Sequence, residues 1–409
     1  MRTTSLLIGT VMLFGSFAGC RAPQPAAPGP APAEPEADPM LSVNTLLPEP
    51  EGFLEQRIGS DDYPIPPYAE FLEGVKICLD PGHGGDAHKR AYKRGPTGVR
   101  EAEMNLRVAK YLRALLVEAG ADVLLTREED VDLSLADRAA TANEWGADLF
   151  ISLHHNAIGG KPQVNRTTVW YHNDVDYRPS NLDLARYLCY GLYDSIALPQ
   201  IAGIPLHSDQ LMYDSGFGIL RHADVTAALT ESSFFTNPEE EQRLRDPEYN
   251  LLEAHGLFIA LAKYAAAGLP RAYLIEPEDA VVFHNGNQSL APNQSPERQR
   301  GVTAPAAQPV ADAPGSAWID PSTLVFELDD GLRARKSWGA DRQMILTDSI
   351  TVHLDGQRVP LAFSDDGERY LLTVSLPDDL APGEHAIDVQ FQNMHKNSVL
   401  NPHFVIDVR

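Results

Sequence analysis

The stretch Val75-Lys-Ile-Cys-Leu-Asp-Pro-Gly-His-Gly-Gly85 decides how the chain is read. Val75, Ile77, Cys78 and Leu79 make the β-branched, apolar run of a strand covered on both faces, and Pro81, Gly82, Gly84 and Gly85 end it abruptly. His83 therefore stands where a strand stops. In open α/β sheets that edge is where loops converge on a crevice and ligands bind. An Asp-Pro-Gly turn with an incidental histidine is common, so the weight falls on what surrounds it.

Downstream, strand and helix patterns alternate. Met104, Val108, Leu112, Leu115, Leu116 and Ala119 lie on one face of a helix that stops at Gly120. Residues 121–126 read as a second strand. Ser134 with Asp137 three positions on is a variant capping box, opening a helix that runs to Trp145 and ends at Gly146. Strands over 148–153, 167–171 and 225–230 and helices over 182–194 and 248–266 complete the series. The alternation predicts an α/β domain over residues 70–268, a mostly parallel sheet flanked by helices on both faces. Residues 285–316 are polar and Pro-rich and read as a linker. From residue 317 to 409 the period is two. Short strands at 323–328, 349–354, 358–363, 370–376, 385–391 and 403–408, separated by Asp-Gly and Pro-Gly turns, predict an immunoglobulin-like β-sandwich without a catalytic constellation.

Upstream, Arg2 precedes an apolar run from Leu6 to Ala18, shorter than the roughly 20 residues needed to span a bilayer and suited to the hydrophobic region of a signal peptide over residues 1–20. The run ends in Phe17-Ala-Gly-Cys20. This resembles a bacterial lipobox, with Phe17 where leucine is usual, and implies cleavage before Cys20 and lipidation of that cysteine; an ordinary signal peptide with a chance cysteine is the alternative. Arg21, in place of an aspartate, implies the outer membrane. Residues 21–60, rich in Pro, Ala and Glu, read as an extended tether. A formal net charge of -24 excludes a nucleic-acid partner, since phosphate contacts need clustered Lys and Arg. Cys78 and Cys189 read as small core residues, with a disulfide left open, and no Cys-x-x-Cys pair offers a zinc-thiolate site.

Three polar residues fall at the strand ends of the α/β half: His83, His154 in Ser152-Leu-His-His-Asn-Ala157, and Glu231 in Leu229-Thr-Glu-Ser-Ser-Phe234. In a parallel sheet they meet at one edge. Glu101, at the start of the first helix, points there too. Two imidazoles and a carboxylate suit Zn2+ with a fourth position open to water. Bound water then has a pKa of about 7, and the remaining carboxylate can pass its proton to a leaving amine. Each residue has a plainer reading. Glu101 suits a helix N-terminus, one of His154 and His155 can simply bond locally, and Glu231 can pair with Arg221. Independent solvated side chains, however, have no reason to gather at the strand ends of one sheet.

The blocks Ile77-Cys-Leu-Asp-Pro-Gly-His-Gly-Gly85, Glu101-Ala-Glu-Met-Asn-Leu106, Leu125-Thr-Arg127, Leu135 to Arg138 with Ala142-Asn143, Ser152-Leu-His-His-Asn-Ala157 and Glu231-Ser-Ser-Phe-Phe-Thr-Asn237 resemble, in order and spacing, the zinc-dependent N-acetylmuramoyl-L-alanine amidases of the type 3 family, over about residues 74–266. The resemblance implies a peptidoglycan hydrolase with His83, Glu101 and His154 as zinc ligands and Glu231 as the catalytic glutamate. It selects Glu101 over Glu103 because Glu101 stands five residues before Leu106. His155 replaces a usual small residue, and Ser232-Ser233 stand where the family often has glycine, two departures expected to bear on the substrate groove. Residues 173–218, including His207-Ser-Asp-Gln-Leu-Met-Tyr213, match loosely, and either autoinhibition or shaping of the groove is open to them. Rival readings are a zinc peptidase acting on another envelope amide and a catalytically silent wall-binding or amidase-activating protein. Residues 317–409 are the candidate contact for wall or activator.

Overall fold

The structure, a computed structural model, describes residues 46–89, 92–198, 205–277, 282–284, 288–290, 323–333 and 344–408. The signal segment, Cys20 and all of the 285–316 stretch except 288–290 lie outside the described residues. Residues 46–60, expected to belong to the tether, are instead a strap on the folded body. Leu46 and Phe53 are buried, Phe53 opening a short helix α1 (Phe53–Arg57), and a 3-10 turn at Pro67–Leu72 buries Leu72. These apolar anchors are what the Pro/Ala run lacks.

The α/β body follows as β1 (Lys76–Pro81), α2 (Glu101–Glu118), β2 (Asp122–Leu125), α3 (Leu135–Trp145), β3 (Leu149–Asn156), β4 (Thr168–Tyr171), α4 (Ser180–Ile196), β5 (Leu206–Ser208), α5 (Gly218–Arg221), β6 (Thr226–Phe234), α6 (Pro238–Leu244) and α7 (Pro247–Ala266). The sheet order is β2-β1-β3-β6-β4-β5. The first four strands are parallel, β4 runs antiparallel to β6, and β5 follows β4. Alternation along the strands divides the core. Ile77, Leu79, Leu149 and Ile151 face α2, α4 and α7, whereas Cys78 and Phe150 face α3 and α5. Helices thus cover both faces, as the unbroken apolar runs of β1 and β3 require. The capping box is present: Ser134 Oγ accepts from the Asp137 N–H at 3.1 Å, and Gly146 closes α3 in the left-handed conformation at φ 66°.

Both central strands run further than expected. β3 continues through His154 to Asn156 and β6 through Glu231 to Phe234, because the ladder between them holds the register His154↔Glu231. These two residues are therefore carried on rigid strand backbone, with only His83 beyond a strand end.

The sandwich comprises β7 (Arg271–Glu276), β10 (Thr323–Asp329), β11 (Thr351–Leu354), β12 (Gln357–Arg358), β13 (Leu361–Asp365), β14 (Tyr370–Ser375), β15 (Gly383–Gln390) and β16 (His403–Val408), with a separate hairpin of β8 (Val282–His284) and β9 (Gln288–Leu290) between β7 and β10. Its two antiparallel sheets, β13-β14-β10-β7 and β12-β11-β15-β16, share a core that includes Phe326, Leu372, Val352, Val389 and Ile406. Two sequence expectations change here. The expected strand over 358–363 is split at Pro360, which has no N–H to give a ladder, so the chain passes from one sheet to the other. The second concerns the boundary. β7 pairs directly with β10, so the sandwich begins ahead of residue 317 and the 285–316 stretch joins two strands of one sheet rather than two domains.

The two halves are also joined by buried contacts. Ser398 N–H donates to Asp183 at 2.8 Å, Asn393 and Asn397 donate to the carbonyls of Ala267 and Gly268 at 2.8 Å each, Arg271 pairs with Asp148 at 2.6 Å, and Leu400 packs into the α/β core. Asp148 precedes β3, and Asp183 lies in the first turn of α4, beside the start of β6. The sandwich therefore meets the sheet at the edge opposite His83.

Candidate metal centre

The turn after β1 is held from three sides. Gly82 N–H donates to the Leu153 carbonyl at 3.0 Å, tying the turn to β3. Two buried arginines grip its carbonyls: Arg127 donates to Pro81 at 2.8 Å and Gly82 at 3.0 Å, and Arg138 to Pro81 at 2.9 Å and His83 at 2.8 Å. Arg138 also pairs with the fully buried Asp80 at 2.8 Å, which accepts from Thr126 and Ser152 besides. His83 is left at φ 60°, a conformation that side-chain-bearing residues adopt only when their surroundings impose it.

So held, His83 Nε2 lies 3.1 Å from Glu101 Oε1, and His154 Nδ1 lies 3.1 Å from the same oxygen. The two rings meet edge to face with centroids 4.7 Å apart. One ligand atom from each residue falls within 4.8 Å of the others. In a tetrahedral site with bonds of about 2.0–2.1 Å, donor atoms stand about 3.3 Å apart. The two edges that meet at Glu101 Oε1, 3.1 Å each, come within about 0.2 Å of that length, and Glu101 Oε2 is buried with no hydrogen-bond partner, the Lys93 ammonium lying 3.5 Å away. The donor set and its spacing therefore fit a divalent cation.

Glu101 is the first residue of α2 and fully buried, so its place at the helix N-terminus is compatible with a ligand's place in the cluster. Burial works to raise its pKa, but hydrogen bonds and charge from His154 and His83 outweigh this and hold the carboxyl well below the usual range. Glu103 is taken up by Arg100 at 3.0 Å. Glu231 faces the cluster from β6. Burial and then the charge of Glu101 push its carboxyl well above the usual range, Lys93 working the other way, and its Oε2 is buried without a hydrogen-bond partner. It does not pair with Arg221, which donates instead to the Ser215 carbonyl at 2.8 Å.

Of the adjacent histidines, His155 is the one bonded locally. Its Nδ1 is 2.9 Å from Asn105 Oδ1 and its Nε2 is 3.0 Å from Glu253 Oε2, all three side chains being buried. Asn105 donates its amide to the Gly82 carbonyl at 3.2 Å, which fixes its oxygen toward His155. Both partners accept, so both ring nitrogens carry protons. Burial disfavours that charge and Glu253 outweighs it, raising the imidazole's pKa. His155 and Ser232-Ser233 are all buried, so the departures expected to bear on the groove face the interior.

Cys78 and Cys189 are free thiols on opposite faces of the sheet and cannot pair; burial raises both, Cys189 to about 11. Of the loosely matching stretch, α4 is core, and β5, parallel to β4, leads away from the level of Glu231. Sequence reasoning assigned no role to Asp80, Asn105 or Glu253. Their signal was a buried polar residue amid apolar periodicity, which only burial makes visible.

Residues 77–261 match the family model described as N-acetylmuramoyl-L-alanine amidase, a match that ends before the sandwich. The chain is 29% identical over 219 residues to the N-acetylmuramoyl-L-alanine amidase CwlM of Bacillus licheniformis, covering 51% of this chain and 73% of that one. It is 27% identical over 274 residues to AmiC of Escherichia coli, covering 58% and 64%. Among solved structures, the amidase AmiC2 of Nostoc punctiforme matches at TM-score 0.41 and 27% identity, covering 47% of this chain and 98% of that one.

Proposed function

We propose that this chain, whose residues 77–261 match the family model described as N-acetylmuramoyl-L-alanine amidase, cleaves the amide between N-acetylmuramic acid and L-alanine of the peptidoglycan stem peptide, with zinc at His83, Glu101 and His154 and with Glu231 as proton carrier. The observation that carries this reading is the convergence of two imidazole nitrogens on one buried carboxylate oxygen at 3.1 Å each, beside the half-buried Glu231 carboxylate, whose inner Oε2 has no hydrogen-bond partner. Zinc held there supplies Lewis acidity, polarising an amide carbonyl and making water acidic near neutral pH.

The rest falls to the chain's own residues. Arg127 and Arg138 hold the turn that presents His83, and Glu101 neutralises part of the cation's charge while orienting both imidazoles. Glu231, in register with His154, accepts a proton from the attacking water and returns it to the departing nitrogen of L-alanine. A carboxyl group made more basic by burial suits that exchange. Glu231→Gln is expected to keep zinc and fold while lowering release of stem peptides from sacculi by about 10²–10⁴-fold, the usual worth of general acid–base catalysis. His83→Ala and His154→Ala are expected to bring zinc below one per chain. Near-normal activity of the Gln variant, or unchanged metal content of the Ala variants, contradicts the roles assigned. For the N-terminus, Phe17-Ala-Gly-Cys20 supports lipidation of Cys20, and Arg21, in place of an aspartate, supports attachment to the outer membrane. Loss of labelled palmitate on Cys20→Ser is the check.

A further inference from the structure

Between β1 and α2 the chain reads Asp86-Ala-His-Lys-Arg-Ala-Tyr-Lys-Arg94, a cationic run in a protein whose acidic residues outnumber Lys and Arg by 57 to 33. The loop is braced. Arg94 donates to the carbonyls of Ala87 at 2.8 Å, Lys89 at 3.1 Å and Gly98 at 3.0 Å, and Glu241 accepts from the N–H groups of Thr97 and Val99. Gly95 is required by this brace, since a Cβ there would lie 2.4 Å from Glu241 Oε1. Arg94 is thus committed to the loop itself, and Lys89 is exposed with its ammonium over the Tyr92 ring.

Lys93 differs from both. Its backbone is in the left-handed region at φ 51°, where a side-chain-bearing residue stays only under constraint, and its carbonyl accepts from the Glu101 N–H at 3.0 Å. Its ammonium points into the metal centre, 3.5 Å from Glu101 Oε2, with the side chain 34% exposed. Besides Glu101, the Glu231 carboxylate attracts this ammonium; a lysine serving only to neutralise these two becomes superfluous once a dication shares their site, and would repel the dication. An ammonium fixed by strained backbone at the open side of such a site needs an anion that arrives from outside.

We propose that Lys93 receives a carboxylate of the substrate, the one on the residue that follows L-alanine in the stem peptide, and so selects acidic stem peptides over amidated ones. This rests on the amidase reading above. The reach allows it: two residues of extended chain span at most about 7 Å, and Lys93 Nζ stands 3.5 Å from the Glu101 carboxylate, within that span.

The test uses the zinc-loaded full chain and two soluble muramoyl peptides that differ only in a carboxylate or carboxamide on the second residue. The wild type is expected to favour the carboxylate in kcat/KM by about tenfold, the worth of one charge-assisted hydrogen bond. Lys93→Met is expected to bring the ratio near one, chiefly through KM, with zinc stoichiometry unchanged, and Lys93→Arg to retain the preference. Calorimetric binding of the carboxylate peptide to Glu231→Gln, with and without Lys93→Met, is expected to show the same tenfold difference. Equal use of both peptides by the wild type, a preference that survives Lys93→Met, or equal binding in the calorimetric pair overturns the proposal. If neither peptide is cleaved by the wild type, the amidase reading fails, and the binding pair still decides the role of Lys93.

Discussion

Gly82→Ala is expected to abolish the metal centre without unfolding the domain. A Cβ at residue 82 would lie 2.2 Å from both Cε1 and Nε2 of His154. Ordinary Cβ contacts begin at 3.4 Å, so the ring must retreat by 1.2 Å, the difference between 3.4 and 2.2 Å. The backbone cannot yield in its place. Gly82 N–H is bonded to Leu153, and its carbonyl accepts from Asn105 and Arg127. Gly82 has no positive φ, so alanine adds no backbone strain and the effect is that of one methyl group. Metal–donor distances tolerate about 0.2 Å, and a displacement several times larger removes His154 from the coordination set. Since disturbing partners that merely orient ligands costs about 10–100-fold in metal affinity, losing a ligand should cost at least about 100-fold. Overpacking should cost the metal-free fold only about 1–3 kcal/mol. Zinc affinity by competition with a chromophoric chelator, alongside thermal unfolding of the metal-free protein, measures both. Wild-type zinc affinity in a folded Gly82→Ala protein would show that His154 is not where the metal needs it.

Two further outcomes concern the scaffold. His155→Ala leaves Glu253 buried and unpaired, which should destabilise the protein by about 3–5 kcal/mol, and adding Glu253→Leu should recover much of that; chemical denaturation of the single and double variants is the measurement, and additive losses would contradict a buried ion pair. Leu400→Ala should cost about 2–4 kcal/mol because this sandwich residue packs into the α/β core. Calorimetry should then show one lowered transition, whereas a separate, unshifted α/β transition would mean the two halves unfold independently.

The sequence specified the order of elements because its signals are local. The apolar run of β1, the spacing along α2 and the Ser134 cap with Gly146 each read correctly from a few neighbouring residues. The candidate site was legible for the same reason: His83, Glu101, His154 and Glu231 are types that the proposed chemistry would require, set beside strand and helix ends. What remained hidden depends on partners distant in the chain. Whether His154 or His155 faces the cluster is set by Asn105 and Glu253, 50 and 98 residues away from His155. β7 could not be assigned to the sandwich before its pairing with β10 was seen, since an isolated six-residue strand looks alike in either half. The residue types at this centre were therefore written in the sequence, whereas tertiary packing alone decided which neighbour of each pair turns inward and what holds it there, because hydrogen-bond partners and excluded volume exist only once the chain has closed on itself.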